Sequence, residues 1–284
     1  MFVQDENYET NLNKQDNKIV INKYDNYTEI VEKVEKGLKN GFCIIKYNNG
    51  KKFIGSFKDN FLNGWSILNN LEIKISGQFS NNILNGYGEV FFINESKILK
   101  GYWINGILGG TGYEIGSDYI YFGYFIKSEK NGYGTQIWDD QAKYEGEWKD
   151  DKFEGYGIYY YPNGKIYMGQ WYNNNKNGYG ELIWPDGKKY VGYYLEDQKD
   201  GFGIFYLKKY CFFLGFWKNG KRHGLAKYIE GNHINYQNWV DNQLINENMN
   251  ELDFMNSFTD DMEKFRFFFS MNIKMILKFM NIDI

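Results

Sequence analysis

One pentapeptide pattern, Tyr-x-Gly-x-Trp, recurs along this chain at a nearly constant distance and restricts the folds that it can adopt. The two best copies, Tyr144–Trp148 and Tyr167–Trp171, begin 23 residues apart. A Gly-x-Gly landmark follows each copy with the same period, at Gly155–Gly157 and Gly178–Gly180. Because separate landmarks keep one period, we expect the chain to consist of a repeated structural unit.

The glycine of the pentapeptide can be followed through most of the chain, at steps of 22 to 24 residues. The residue two positions after each of these glycines is aromatic. The glycines are Gly55, Gly77, Gly101, Gly123, Gly146, Gly169, Gly192 and Gly215. The residues that define the best repeats are Tyr144, Gly146, Trp148, Gly155 and Gly157, then Tyr167, Gly169, Trp171, Gly178 and Gly180.

Each repeat is expected to form two short strands and a turn. In Tyr144–Trp148 the pattern alternates with period two, so Glu145 and Glu147 face away from the aromatic residues. A glycine inside a strand normally weakens it, but here it leaves space for an aromatic ring over the backbone. The dipeptide Asn163-Gly164 predicts a tight turn, because glycine adopts positive φ freely.

The combination of Tyr-x-Gly-x-Trp, Gly-x-Gly and Asn/Asp-Gly at a period of 23 residues resembles the MORN repeat, over about residues 41–226 in about eight units. The resemblance implies an all-β fold, an elongated, twisted antiparallel sheet of successive β-hairpins. It also implies a scaffold or adaptor role. Relatives of this kind include radial-spoke-head and other axonemal proteins, and repeat modules attached to kinase or methyltransferase domains.

Three segments are expected. Residues 1–27 are polar and lack periodicity, which predicts a disordered leader. Residues 28–240 form the repeat array, and residues 241–284 form a tail with an amphipathic α-helix. The apolar stripe of that helix comprises Met262, Phe265, Phe269, Ile273, Ile276 and Met280. Three interpretations of the tail remain open: a helix that caps the sheet, a segment that lies on a membrane, or translated A/T-rich non-coding sequence.

Composition argues against several classes of site. The chain carries a formal net charge of −3, so we expect no nucleic-acid partner. Two cysteines far apart predict no disulfide framework and favour a reducing, cytoplasmic compartment. With two histidines and no clustered ligands, we expect no metal, no cofactor and no catalytic residue, hence no enzyme. No signal peptide is expected at the N-terminus.

The face opposite the pentapeptide aromatics varies more than the rest of the repeat. It carries Glu145 and Glu147 in one repeat and Phe122 and Tyr124 in the repeat before it. In the last two repeats it carries apolar residues: Val191, Tyr193, Leu214 and Phe216. We interpret this patch either as a contact surface for a second copy or another protein, or as a surface that the C-terminal helix covers.

The function predicted from the resemblance is a non-enzymatic scaffold that binds proteins, in the cytoskeleton or a cilium, with self-association into a dimer as one outcome. One alternative is an adaptor at the membrane periphery that binds anionic phospholipids or phosphoinositides. A second alternative is a regulatory module of a phosphatidylinositol phosphate kinase-like or methyltransferase-like system whose catalytic domain is absent from this sequence.

Overall fold

A computed structural model describes residues 19–258, 265–271 and 273–280. The chain divides into two compact units, Met1–Asp139 and Asp140–Ile284. Each unit contains an antiparallel β-sheet in which successive strands are joined as hairpins. The predicted all-β fold of successive hairpins is therefore confirmed.

The first unit contains strands β1 to β11 in its described part. Each strand for which the register is given pairs antiparallel with the next in sequence. The strands are β1 (Val20–Lys23), β2 (Tyr27–Glu35), β3 (Leu38–Tyr47), β4 (Lys52–Lys58), β5 (Phe61–Asn69), β6 (Ile73–Ser80), β7 (Ile83–Phe92), β8 (Lys97–Ile104), β9 (Ile107–Ile115), β10 (Tyr119–Ile126) and β11 (Glu129–Trp138).

The second unit continues the pattern with β12 to β21, and three short helices follow in the described part of the chain. The strands are β12 (Lys143–Lys149), β13 (Lys152–Tyr160), β14 (Ile166–Tyr172), β15 (Asn175–Ile183), β16 (Lys189–Leu195), β17 (Gln198–Lys208), β18 (Cys211–Lys218), β19 (Lys221–Glu230), β20 (His233–Val240) and β21 (Gln243–Met249). The helices are α1 (Glu251–Asn256), α2 (Arg266–Ser270) and α3 (Ile273–Phe279).

Glycines from successive strands lie directly opposite one another in the second unit. Gly146 of β12 pairs with Gly157 of β13, and Gly157 also pairs with Gly169 of β14. The same alignment continues through Gly180, Gly192, Gly203 and Gly215. The 23-residue period of the sequence therefore becomes a row of glycines that crosses the strands.

The two strands of a hairpin are joined by two residues that both have positive φ. At Asp150 and Asp151 the φ values are 48° and 64°, and at Asn173 and Asn174 they are 51° and 69°. Two positive φ values define a type I′ turn, whose twist matches that of the flanking strands. Asp and Asn tolerate this conformation better than most residues, which explains why these turns need no glycine.

The array is longer at both ends than the sequence pattern indicated. Strand β1 lies within the expected leader of residues 1–27 and pairs with β2. Residues 1–18 lie outside the described residues. At the other end β21 lies beyond residue 240 and pairs with β20. Strands β1 and β21 both lack the pentapeptide glycine.

The tail, defined from here as the described residues after Met249, is not one continuous helix as predicted. Met271 has extended backbone (φ −63°, ψ 136°) and separates α2 from α3. Helix α1 begins after Asn250, whose side-chain oxygen accepts a hydrogen bond from the Asp253 amide at 2.8 Å. Met262, the first residue of the predicted stripe, lies outside the described residues, whereas Phe269, Ile276 and Met280 are buried as the stripe predicts.

Candidate functional site

One face of the sheet in the second unit carries Tyr144, Gly146 and Trp148 of the pentapeptide, and we call it the pentad face. On this face, aromatic rings lie over glycines. A Cβ placed on Gly157 would lie 2.4 Å from the Tyr144 hydroxyl oxygen, and one on Gly146 would lie 2.6 Å from it. Tyr144 is fully buried. The absence of a side chain at Gly146 and Gly157 therefore leaves the space that the Tyr144 ring occupies. This is the pairing of glycine with an aromatic ring that the sequence predicts.

The buried tyrosines of this face satisfy their hydroxyl groups within their own repeat. The Tyr144 hydroxyl donates to the Glu147 carbonyl oxygen at 2.9 Å, and the Tyr167 hydroxyl to the Gln170 carbonyl oxygen at 3.0 Å. The Trp171 indole N–H donates to the Gly157 carbonyl oxygen at 3.2 Å. Burial raises the pKa of the Tyr167 hydroxyl above its usual range, so this hydroxyl stays protonated and acts as a structural donor.

Tyr194 departs from this pattern at the position that Trp148 and Trp171 hold in earlier repeats. Its hydroxyl oxygen is buried and has no hydrogen-bond partner among the described residues. Burial is also the largest cause that raises its pKa. A buried hydroxyl without a partner lowers stability, so this position is a weak point of the pentad face.

The turn residues connect each hairpin to the one before it, which the sequence did not reveal. The Asn174 side-chain oxygen accepts a hydrogen bond from the Phe153 amide at 2.7 Å, while the Asn174 amide donates to the Phe153 carbonyl at 3.1 Å. Asp197 makes the same two contacts with Lys176, at 3.0 Å each. The Asp197 carboxylate and the Asn174 side-chain amide thus stabilise the stacking of successive hairpins.

A second position of the repeat places a ring or a cation over each pentad tyrosine. Phe153 stacks on Tyr144 with ring centroids 3.8 Å apart. One repeat later, Lys176 lies 5.6 Å from the centre of the Tyr167 ring. After another 23 residues, the ammonium group of Lys199 lies 4.4 Å from the Tyr190 ring. These cations interact with the ring faces as well as covering them.

Lys199 is the cation of this set that lacks an acidic partner. Lys176 has Asp197 within 3.6 Å, whereas the equivalent of Asp197 one repeat later is Gly220. Trp184 and Phe205 enclose the Lys199 ammonium group at 5.3 and 4.6 Å, together with the Tyr190 ring. Burial, with a smaller contribution from a nearby arginine, lowers the pKa of Lys199 to about 8.

The side of the sheet that carries Glu145 and Glu147 is called the opposite face. The predicted contact patch lies on this face, and the tail covers the patch. Leu214 is fully buried and Val191 is 6% exposed. Phe216 is half-buried, and Tyr193 remains 42% exposed at the border. The patch is therefore not a free contact surface in this structure. The tail residues that pack against it are Phe254, Phe269, Met271, Ile276, Leu277 and Met280.

Two buried lysines hold the tail through the carbonyl groups at its helix ends. The Lys227 ammonium donates to the carbonyl oxygens of Phe269 and Met271 at 2.7 and 3.4 Å. The Lys189 ammonium donates to the Met280 carbonyl oxygen and lies 2.6 Å from Glu181. Carbonyls at a helix C-terminus lack intrahelical donors, so a cation there is favourable.

The first unit has a buried polar cluster of its own. The Lys130 ammonium lies 3.0 Å from Glu114 and donates to the Gln136 side-chain oxygen at 2.8 Å. Its distance from the Tyr121 ring is 5.0 Å, so Lys130 has the same position over a pentad tyrosine as Lys176. Because its charge is neutralised and its donors are used, this cluster is a structural ion pair.

The described residues contain no set of side chains typical of a metal site. No group of three or more His, Cys, Asp or Glu side chains is placed to hold an ion there. Cys43 and Cys211 are buried, and burial raises the pKa of Cys43 to about 11, which opposes thiolate formation.

A cavity of 670 Å³ lies beside the tail and is lined in part by Lys227, Tyr236 and Glu251.

The repeat geometry agrees with the result of comparing the chain with known families. The family model described as the MORN repeat matches residues 76–95, 121–143, 144–166, 167–189, 190–212 and 213–229. The chain belongs to the MORN-repeat family. The matched segments begin at the pentad tyrosine in four repeats, so each MORN repeat corresponds to one hairpin and its connection.

The chain was also compared with curated proteins and with solved structures. A search of curated proteins finds no match to this MORN-repeat chain. Among solved structures, the TCP domain of SAS-4 (dCPAP) of Drosophila melanogaster, in complex with a proline-rich motif of Ana2 (dSTIL), has 14% identity and a TM-score of 0.31, with 63% of this chain and 85% of that chain covered. A mutant of the TCP10 domain of Danio rerio CPAP has 8% identity and a TM-score of 0.25, with 67% and 83% covered.

No helix in the described part of the MORN-repeat chain is long and apolar enough to cross a membrane.

The last repeats differ from the earlier ones in the opposite face that the tail covers, in the two lysines that hold the tail, and in the isolated Lys199. Of these, the sequence indicated the covered face through its apolar residues, and Gly220 in place of an acid offered a signal for Lys199.

Proposed function

We propose that this chain is a non-enzymatic scaffold that binds other proteins through its MORN repeats. The observation that supports the proposal is a set of exposed rings at one position of successive repeats, directly after the first glycine of Gly-x-Gly. In the second unit, Tyr156 and Tyr179 occupy this position and are 55% and 43% exposed. Exposed aromatic side chains in a regular array are typical of protein-binding surfaces.

The first unit shows the same feature. The five residues at this position there are exposed, and all but Thr111 are aromatic. Since the pentad face already provides the packing between repeats, the exposed rings are not needed for the fold, and recognition of a partner explains them better. They are Phe42, Trp65, Tyr87 and Tyr133.

The proposal includes the compartment that the family resemblance implies, the cytoplasm with its cytoskeleton or a cilium. Imaging of the tagged full-length chain in its native cell tests this part of the proposal, and a purely diffuse signal would contradict a cytoskeletal or ciliary scaffold.

The binding function is tested by capture of proteins from the native cell with the full-length chain, followed by mass spectrometry. We expect a reproducible set of proteins that the chain retains after chemical crosslinking, relative to an unrelated MORN-free bait of similar size. Capture of no protein above that background would overturn the scaffold proposal.

Binding to anionic lipid is the alternative that must be separated. Flotation of the intact chain with phosphoinositide-containing liposomes measures it directly. We expect no lipid-dependent flotation, because the net charge of the chain is −3. Strong flotation combined with empty protein capture would replace the scaffold by a membrane adaptor.

A further inference from the structure

The position after the first glycine of Gly-x-Gly forms a column on the opposite face of the second unit. We name it the post-glycine column, which consists of Tyr156, Tyr179, Phe202 and Leu225 at steps of 23 residues. The last two members are 4% and 5% exposed, because the tail lies on them. The first two members have no such cover.

The tail shows which chemistry this column accepts. Phe265 stacks on Phe202 with ring centroids 5.0 Å apart and an interplanar angle of 20°. Phe268 and Phe269 of α2 contact the same ring at 4.9 and 5.4 Å. A short helix that presents several aromatic side chains is therefore a suitable partner for a member of the column.

The boundary between covered and bare surface contains a small apolar notch. It has a volume of 50 Å³ and lies between Tyr179, Val191 and Phe202 of the sheet and Phe265 and Phe279 of the tail. Phe279 is itself 40% exposed. The interface between tail and sheet thus ends at this apolar notch. A side chain of a further helix would contact the sheet and the tail there at the same time.

The bare part of the face continues the same apolar surface. Ile158 and Met168 pair across β13 and β14 and are half-buried beside the column. Two glutamates flank them: Glu145, which forms an ion pair with Lys143 at 2.9 Å, and Glu147, whose carboxylate accepts a hydrogen bond from the Tyr156 amide at 3.1 Å. An apolar strip with acidic neighbours matches a helix that has an apolar stripe and basic flanks.

We propose that Tyr156 and Tyr179 form a second helix-binding position beside the tail, which takes a basic amphipathic helix of a partner protein. The inference rests on the scaffold function proposed above and names the class of partner. The partner helix lies along the bare column, places the end of one apolar side chain in the notch and its lysines or arginines near the glutamates. The tail then forms one wall of the site.

The test uses the full-length chain and a fluorescein-labelled synthetic helix of about five turns, with Leu and Phe at i, i+3, i+4 and i+7 and Lys elsewhere. Fluorescence anisotropy measures binding, and a scrambled peptide of the same composition controls for charge. We expect the double variant Tyr156→Ala/Tyr179→Ala to bind at least about tenfold more weakly than the unmodified chain.

The matched control is Tyr172→Ala, which removes a tyrosine that is 62% exposed at the turn end of β14. Binding should be unchanged in this variant. A photoreactive peptide crosslinked to the unmodified chain gives a second readout that needs no substitution, and Tyr179 or its strand should carry the crosslink.

Four results would overturn the inference. They are absence of peptide binding, equal binding of the scrambled peptide, equal binding by the double variant, and a crosslink elsewhere. Sedimentation in which the double variant alone loses self-association would assign the face to a second copy and would also overturn it. If one of these results is obtained while capture of proteins from the native cell succeeds, the helix-binding position is rejected and the proposed scaffold function is retained.

Discussion

Replacing Gly180 by alanine tests the physical basis of the whole array, because it places a methyl group where a tyrosine ring lies. The new Cβ would be 2.4 Å from the Tyr167 hydroxyl oxygen and 2.6 Å from two ring carbons. Non-bonded carbon atoms pack at about 3.5–4.0 Å. The ring has little freedom to move away, because Trp171 and Tyr194 hold it edge-to-face at 5.1 and 5.3 Å.

The expected cost is about 3 kcal/mol in the free energy of unfolding of this part of the sheet. Overpacking a well-packed core costs about 1–3 kcal/mol. Displacement of the ring also breaks the hydroxyl bond to the Gln170 carbonyl, worth about 1 kcal/mol, and weakens the edge-to-face contacts. Against this, the lower entropy of the unfolded alanine chain returns about 0.4–1 kcal/mol.

A double-mutant cycle separates the clash from other effects. Tyr167→Ala alone should cost about 3–5 kcal/mol, as for other large aromatic residues in a core. Because the truncated side chain no longer meets the new methyl group, Tyr167→Ala/Gly180→Ala should cost about 2 kcal/mol less than the sum of the two single changes.

The assay is native-state hydrogen exchange of β14 and β15 amides followed by mass spectrometry, since repeat arrays can open in parts. Gly109→Ala is the control, because a Cβ there meets no atom within 4 Å, and it should change stability by at most about 0.5 kcal/mol. Unchanged exchange in Gly180→Ala, or strict additivity in the cycle, would refute the idea that the glycines exist to receive the rings.

Four further changes are expected to act in different directions. Asn174→Ala should destabilise by about 1–2 kcal/mol in urea unfolding, because it removes the acceptor of the Phe153 amide. Tyr194→Phe should stabilise by about 1 kcal/mol in the same assay, since it removes a buried hydroxyl without a partner. Lys199→Met should stabilise by about 1–2 kcal/mol at pH 7 in urea unfolding, and the difference should shrink as the pH rises. Leu214→Glu should place a charge under the tail and release it, which limited proteolysis of the tail would detect.

The sign of the Lys199 effect follows from its lowered pKa. Between about pH 8 and 10.5 the folded chain binds fewer protons at Lys199 than the unfolded chain, so the contribution of this residue to stability rises with pH in that window. Below the window the full penalty of the buried charge is present. A difference between Lys199→Met and the unmodified chain that grows from pH 8 to 10.5 would contradict this account.

Matched variants control two of the other three changes, and the third is checked by the sign of its effect. Asn173→Ala removes the neighbouring turn asparagine, which also has positive φ, so its difference from Asn174→Ala isolates the side-chain hydrogen bond. Leu195→Glu places a charge at a site that is 50% exposed and should leave the tail protected. For Tyr194→Phe, a loss of stability would show that the hydroxyl has a favourable contact after all.

The repeat unit could be predicted from sequence because its determinants are close together in the chain. Alternation with period two separates Glu145 from Tyr144 and Gly146, and that separation is what the sheet shows. The ring over Gly146 belongs to the same pentapeptide, and the ring over Gly157 comes from Tyr144, 13 residues earlier in the same repeat. Both features therefore depend on residues of one repeat, and a single sequence contains them.

The candidate site could be predicted only in part. The sequence singled out Val191, Tyr193, Leu214 and Phe216 as apolar and left two occupants open, a partner or the C-terminal segment. The structure places the tail there. The bare members of the post-glycine column were not recognised from the sequence as a surface, because Tyr156 reads as an ordinary strand residue until its exposure is known.

The sequence by itself determined the period, the strands, the two faces of each hairpin and the family, since all of these follow from local alternation and from the pairing of glycine with aromatic residues. Only the tertiary structure decided where the tail lies, which turn residues bind the preceding hairpin and why Lys199 is isolated. These properties depend on contacts between residues about 20 to 90 positions apart, and their energies are set by enclosure in three dimensions. The Tyr-x-Gly-x-Trp repeat thus specifies the array, while the departures from it around the tail specify what the array leaves exposed for a partner.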